Sequence, residues 1–230
     1  MQHLTARVER HRAGVVDRAP RAHPRPMTSQ QPTLDRISRA LLSPPVGSSD
    51  FDLNPEVLGL LPAARQLREA AVLVPLVDRP DGMTVLLTRR STRLRHHPGQ
   101  IAFPGGKRDP DDPGLWETAL REAREEIGLD PTHVAPMGVL DRHETVTRFD
   151  VAPHVGLVTG PFDVRPCEDE VAEVFEVPLD FLLDPGHYQT HGRLWNGHKR
   201  QYFAVPYGPY YIWGATARIL KGLADRVRAL

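Results

Sequence analysis

Three glutamates crowd one short stretch of this chain, Glu122, Glu125 and Glu126, with Arg121 at their head. Placed at about 100° per residue, they share one arc of a helix, while Trp116, Ala119, Leu120, Ala123 and Ile127 gather on the adjoining face. Such a helix offers one side to a core and the other as a concentration of acid. Glu122 and Glu126 stand one turn apart and Glu122 and Glu125 three residues apart, so each pair costs on the order of a few tenths of a kcal/mol in an isolated helix. Arg121 is within helical reach of Glu117 and Glu125 and offsets part of this. Glu122 and Glu126 have no cation at helical spacing, and a hard divalent ion, which prefers several oxygen ligands, is their natural partner. Acids on a helix are in general only its solvated face. Here the glycines argue otherwise: Phe103-Pro104-Gly105-Gly106 makes a tight turn ahead of the helix, and Gly128 stands where a C-cap belongs.

The elements that must position this helix follow from apolar patterning. Strands are expected at 70–77, 84–89, 134–142, 151–159, 170–177 and 200–205, and helices at 116–127 and 214–228. Asp78-Arg79-Pro80-Asp81-Gly82 supplies turn residues between the first two strands, which makes them a hairpin. Leu34, Ile37, Leu41 and Leu42 read as an amphipathic helix, Leu58 to Arg68 as a short second one, and Pro178 to Leu183 as another short helix. Together they predict an α+β layered domain. Residues 1–33, rich in Arg, His and Pro, bury too little apolar surface to offset their ordering entropy; a disordered extension is expected there, with one domain over 34–230.

Lys plus Arg equals Asp plus Glu at 29 each, which argues against a mainly nucleic-acid-binding or membrane-surface protein. A single cysteine, Cys167, excludes an intramolecular disulfide and a Cys-based metal cluster. With no signal-peptide core and no apolar stretch of membrane-spanning length, a cytoplasmic location is expected.

The segment Arg121-Glu122-Ala-x-Glu125-Glu126-x-Gly128-Leu129, preceded by Gly106, resembles the Nudix box of the diphosphate-cleaving Nudix hydrolases. Fourteen residues separate Gly106 from Arg121, one more than in the general box, and the usual early Glu has no exact counterpart; Asp111 and Asp112 are nearest. Upstream, Leu86-Leu87-Thr88-Arg89-Arg90-Ser91, then Arg95, Gly99 and Phe103-Pro104-Gly105-Gly106 resemble the signature of the coenzyme A pyrophosphatase branch, which shares the longer spacing. Ile212-Trp213-Gly214-x-Thr216-Ala217 is similar to that branch too.

The resemblance implies a Nudix-type α/β/α sandwich with a mixed sheet, and metal-dependent hydrolysis of the diphosphate of coenzyme A or its acyl or oxidised forms. The products would be adenosine 3′,5′-bisphosphate and 4′-phosphopantetheine or its acyl derivative. The expected metal ligands, for Mg²⁺ or Mn²⁺, are Glu122 and Glu126, then Glu125 and the Gly106 carbonyl. Arg121 is expected to hold the carboxylates in place. Either Glu125 or an acid among Glu168, Glu170 and Glu173 acts as base. Arg90 and Arg95, the arginines at signature positions, are expected to bind substrate phosphates, whose oxygens suit planar guanidinium groups. His96 and His97 read as polar loop residues and Trp213 as packing. The implied partner is a small molecule, with no nucleic acid and no membrane, in a monomer or homodimer. Two alternatives stand beside this: a Nudix enzyme for ADP-ribose or another nucleoside diphosphate derivative, and a Nudix-fold module that binds a nucleotide without cleaving it.

Overall fold

The apolar run expected at 70–77 lies at the middle of the main sheet. A computed structural model describes residues 31–59, 65–195 and 197–230. Its helices are α1 (Gln31–Leu41), α2 (Pro55–Leu58), α3 (Leu115–Ile127), α4 (Leu179–Leu183) and α5 (Ala215–Arg228). The first strands are β1 (Ser48–Ser49), β2 (Arg68–Arg79), β3 (Gly82–Arg90), β4 (Ile101–Ala102), β5 (Gly105–Lys107) and β6 (Val134–Val139). They continue as β7 (His143–Glu144), β8 (Phe149–Val158), β9 (Val171–Pro178), β10 (Gln189–Trp195), β11 (His198–Tyr207) and β12 (Tyr210–Trp213).

Strand β2 pairs antiparallel with β3 through the expected hairpin and parallel with β8 along ten residues, from Arg68 opposite Phe149 to Val77 opposite Val158. The sheet is therefore mixed, with order β1-β7-β8-β2-β3-β4 and with β5, β6 and β9 paired to β2, β8 and β3. Because β2 is covered on both faces, its apolar residues run without alternation to polar ones. Ala71, Leu73 and Val77 meet Ala119, Ala123 and Ile127 of α3. Val74 and Leu76 point the other way, into a cluster with Ile37 of α1, Leu179 and Leu182 of α4, and Leu220 and Leu223 of α5. Helices thus cover both faces of a mixed sheet, the expected α+β sandwich.

The differences are local. Helix α1 begins at Gln31, ahead of the expected start at 34; residues 1–30, where disorder is expected, lie outside the described residues, as do 60–64 of the expected second helix, which is helical only over Pro55–Leu58. Strand β6 stops at Val139 rather than 142, after a register shift at Pro136–Gly138. A second sheet, β10-β11-β12, is larger than the single expected strand at 200–205. Among the described residues no helix is long and apolar enough to cross a membrane.

Candidate active site

Helix α3 is set against the sheet by its apolar face, and its acidic face meets the turn that ends in β5. Gly105 and Gly106 pair with Val72 and Ala71 of β2, and each glycine is there for a different reason. Gly105 has φ +154° and backbone of β2 where a side chain would stand; at Gly106 a Cβ would come 2.5 Å from the carboxyl carbon of Glu122. The turn is thereby pressed onto the acids. The Gly105 N–H donates to Oε2 of Glu126 at 3.1 Å. At its other end α3 closes on Gly128 in the left-handed conformation, φ 71°, as expected of a C-cap. The loop after β8 returns there, Cys167 N–H donating to the Glu126 carbonyl and Arg165 N–H to that of Ile127.

Glu126 is 3% exposed. Burial pushes its carboxyl up to about 8, opposed by the Gly105 N–H and by Arg90, and assisted by the charges of Glu122 and Glu170. Glu122 is raised as well, again first by burial, against the pull of Arg121 and with Glu125 and Glu170 adding repulsion. Glu170 is therefore the acid outside the helix that shares the field of both. Glu173 is engaged elsewhere, accepting from Tyr210 Oη at 2.7 Å and pairing with Arg89 at 2.8 Å. Glu168 is exposed.

Arg121 organises the open side. Its Nη1 is 2.9 Å from Glu125 and 3.0 Å from Glu122, and its Nε and Nη2 donate to the two oxygens of Asp112 at 2.9 and 3.0 Å. Asp112 is buried and also accepts from Thr118 Oγ1 and the Asp109 N–H, and the Arg121 fork holds it well below the usual carboxylate range. Of the two early acids, it is Asp112 that is tied to the helix, as the anchor of Arg121. Glu125 is 59% exposed and points outward.

A divalent cation fits this donor set: a buried and a half-buried carboxylate, both raised first by burial, a third on the same arc, and a glycine turn against them. The four expected ligands are neighbours but do not converge. Among the described residues no three acid, His or Cys groups already meet at metal-binding distance, because Arg121 draws Glu122 and Glu125 aside and Glu126 turns to Gly105.

A cleft adjoins the acids at Gly105 and Arg90. Its outer lobe, about 580 Å³, is lined by Arg68, His96, His97, Gly106, Lys107 and Phe149 among others. Its inner lobe, about 210 Å³, is lined by Gln100, Phe103, Arg193, Arg200 and Trp213 among others. Arg90, His97, Gly105 and Thr147 line both. Arg90 stands 3.8 Å from Glu126, and its Nε is buried with no partner among the described residues. Arg95 is placed differently: it is exposed in the loop 91–100 and lines neither lobe. His96 and His97 are exposed loop residues as expected, and Trp213 packs against Tyr202; all three also line the cleft. The position of His96 and His97 between the Arg90 strand and the glycine turn is a signal that could have placed them at the cleft. Arg193 and Arg200 lie in the second sheet, where no motif marks them.

The NUDIX domain family model matches residues 67–195. The chain belongs to the Nudix family. Its relatives include the uncharacterized Nudix hydrolase NudL of Pectobacterium atrosepticum, 44% identical over 162 residues, 70% of this chain and 84% of that protein. The protein of the same name in Salmonella paratyphi B is 44% identical over 160 residues, 70% of this chain and 83% of that one. Among solved structures, a MutT/nudix family protein from Enterococcus faecalis matches with TM-score 0.48 and 18% identity, covering 89% of this chain and 76% of that one. A C. elegans Ap4A hydrolase matches with TM-score 0.42 and 22% identity over 50% and 82%. The acidic helix α3 and its glycine turn, the stretch that resembles the Nudix box, lie inside the matched region.

Proposed function

We propose that this Nudix hydrolase, as a single domain over 34–230, cleaves the diphosphate of coenzyme A or its acyl or oxidised derivatives. The observation that carries the reading is that the stretch resembling the coenzyme A branch signature lines the cleft beside the acids: Arg90, Phe103, Gly105 and Gly106 all face it. Glu122 and Glu126 would hold Mg²⁺ or Mn²⁺, with Glu125 and the Gly106 carbonyl completing the set. When bound, such an ion neutralises charge on the diphosphate and acidifies water.

The chain's own groups account for the rest. Arg90, with an unmet N–H directed from a buried position, donates to a diphosphate oxygen and balances charge that builds there. Arg121, fixed from behind by Asp112, holds Glu122 and limits the orientations open to the exposed Glu125. Glu170, or Glu125, takes a proton from the attacking water. The water oxygen bonds to one phosphorus, the bridging oxygen leaves with the other, and adenosine 3′,5′-bisphosphate and 4′-phosphopantetheine separate. Apolar and aromatic walls from Val72, Phe103, Phe149 and Trp213 accommodate the organic halves of the substrate.

The experiment is product analysis by mass after incubation with coenzyme A, with and without Mg²⁺ or Mn²⁺. Metal-dependent appearance of the two products is expected. Cleavage of ADP-ribose in preference to coenzyme A would reassign the substrate within the family. Tight nucleotide binding without any cleavage would make the protein a binding module.

A further inference from the structure

The hairpin of β10 and β11 carries a feature that the acidic helix does not explain. Arg193 and Arg200 are direct cross-strand partners, an arrangement unfavourable for like charges. Arg200 is 3% exposed, and its Nε is buried with no partner among the described residues. Its carboxylate partner is Asp50, at 3.2 Å, and Asp50 is shared with the Val146 N–H at 3.0 Å and with His143 at 3.4 Å. Arg193 makes no ion pair among the described residues and lies 4.7 Å over the ring of Trp213. Asp50 thus answers Arg200, no carboxylate among the described residues answers Arg193, and both arginines line the inner lobe together with Asp50. Leaving a buried N–H unmet beside a second cation is costly unless a ligand supplies the anion. Two planar donor forks suit a phosphate dianion.

We propose that Arg193 and Arg200 form a second anion subsite, separate from Arg90, that takes a phosphomonoester on the nucleoside half of the substrate. It rests on the diphosphatase reading above, under which the group is the 3′-phosphate of coenzyme A. Trp213, beneath Arg193, gives the base an apolar wall. The subsite sets the preference for a 3′-phosphorylated nucleoside over one that lacks the group.

The test compares kcat/KM for coenzyme A and 3′-dephospho-coenzyme A in the wild type, Arg193→Ala and Arg193→Lys. Arg193 is chosen because it is exposed, whereas changes at Arg200 strand Asp50. The wild type is expected to favour coenzyme A by about 10-fold or more, mainly through KM, as for loss of a charge-assisted contact. Arg193→Ala should abolish that ratio by weakening coenzyme A alone, and Arg193→Lys should restore part of it. Equal rates on the two substrates, or an unchanged ratio in Arg193→Ala, overturns the subsite while leaving the diphosphatase reading intact. If neither substrate is cleaved, the diphosphatase reading fails and calorimetry decides the subsite alone. Tighter binding of adenosine 3′,5′-bisphosphate than of adenosine 5′-monophosphate, lost in Arg193→Ala, supports it; equal affinities overturn it.

Discussion

Replacing Glu126 by Gln separates the acid's charge from its place in the fold. The amide keeps an oxygen to accept the Gly105 N–H and removes only the charge that burial opposes. In the folded, metal-free protein the carboxyl is raised from 4.5 to about 8. Below pH 4.5 both folded and unfolded chains hold this proton. Above it the unfolded chain releases the proton first, so stability from this group falls as pH rises, until the folded form also ionises near pH 8. At 1.36 kcal/mol per pH unit the whole interval corresponds to at most about 5 kcal/mol, which for a chain of this size is about 10–20 °C in Tm. Relaxation of the turn and entry of water reduce this, and a fall of at least about 4 °C is expected between pH 5 and 8 in chelator. His154, held below its ordinary value by burial, acts in the opposite sense, because stability rises with pH as the unfolded imidazole loses its proton. Both proteins carry His154 and Glu122, so the difference between them reports Glu126 together with its repulsion by Glu122. Thermal melts should show the wild type losing stability over this range relative to Glu126→Gln, and Mg²⁺ raising the wild-type Tm far more than the variant's at pH 8. Metal-dependent turnover should be lost in the variant. A wild-type curve parallel to the variant's from pH 5 to 8 would refute the assignment of a buried charge that Arg90 and the Gly105 N–H only partly offset, and near-normal turnover in the variant would refute its role as ligand.

Gly106→Ala directs a methyl group at the end of a flexible glutamate, so the fold should persist while metal affinity, read by titration, falls at least 10-fold through displacement of Glu122. Gly105→Ala instead meets the backbone of β2 at φ +154° and should lower stability by about 3 kcal/mol in denaturant unfolding. Asp112→Ala leaves Arg121 without its anchor; a loss of about 2–3 kcal/mol is expected, below that of a fully buried pair because Arg121 is 26% exposed. Since Asp112 is held below its ordinary 3.8, its contribution is complete above that pH and is lost as pH falls through the lower folded value, so wild type and variant should converge in acid unfolding. Glu170→Gln should reduce kcat by about 10²–10⁴-fold if it is the base, whereas Glu173→Gln, which disturbs only Tyr210 and Arg89, should leave kcat within about 3-fold. A loss confined to Glu125→Gln would move the proton to that residue.

The parts of the fold that could be read from sequence are those where one physical demand dominates. Strand β2 is a run of apolar residues because helices cover both its faces, and α3 is amphipathic because one face packs on Leu73 and Val77. The second sheet was mostly hidden for the converse reason. Gln189-Thr190-His191-Gly192-Arg193 in β10 is polar on both faces and has no period, since pairing with β11 rather than burial makes it a strand. Strands β4 and β5 are two and three residues long, too short for any pattern.

The same distinction governs the site. Glu122, Glu125, Glu126 and Arg121 lie on one helix, where spacing alone gives their relative positions. Which outside acid joins them depends on how the loop after Cys167 returns to the end of α3, and only the three-dimensional fold brings Glu170 into their field while binding Glu173 to Tyr210. Arg90 and Arg95 are equal candidates by motif, yet strand β3 carries Arg90 to the cleft wall and ends before Arg95. Arg193 and Arg200 carry no motif, and their proposed role comes from being opposed across a hairpin in which only Arg200 has a carboxylate partner among the described residues. A motif here marks the acids and their turn, while the residues proposed to select a substrate are dispersed over β3, the second sheet and the loops between. Under the proposed subsite, substitution at Arg193 or Trp213 changes substrate choice without disturbing a single residue of the acidic helix or its turn.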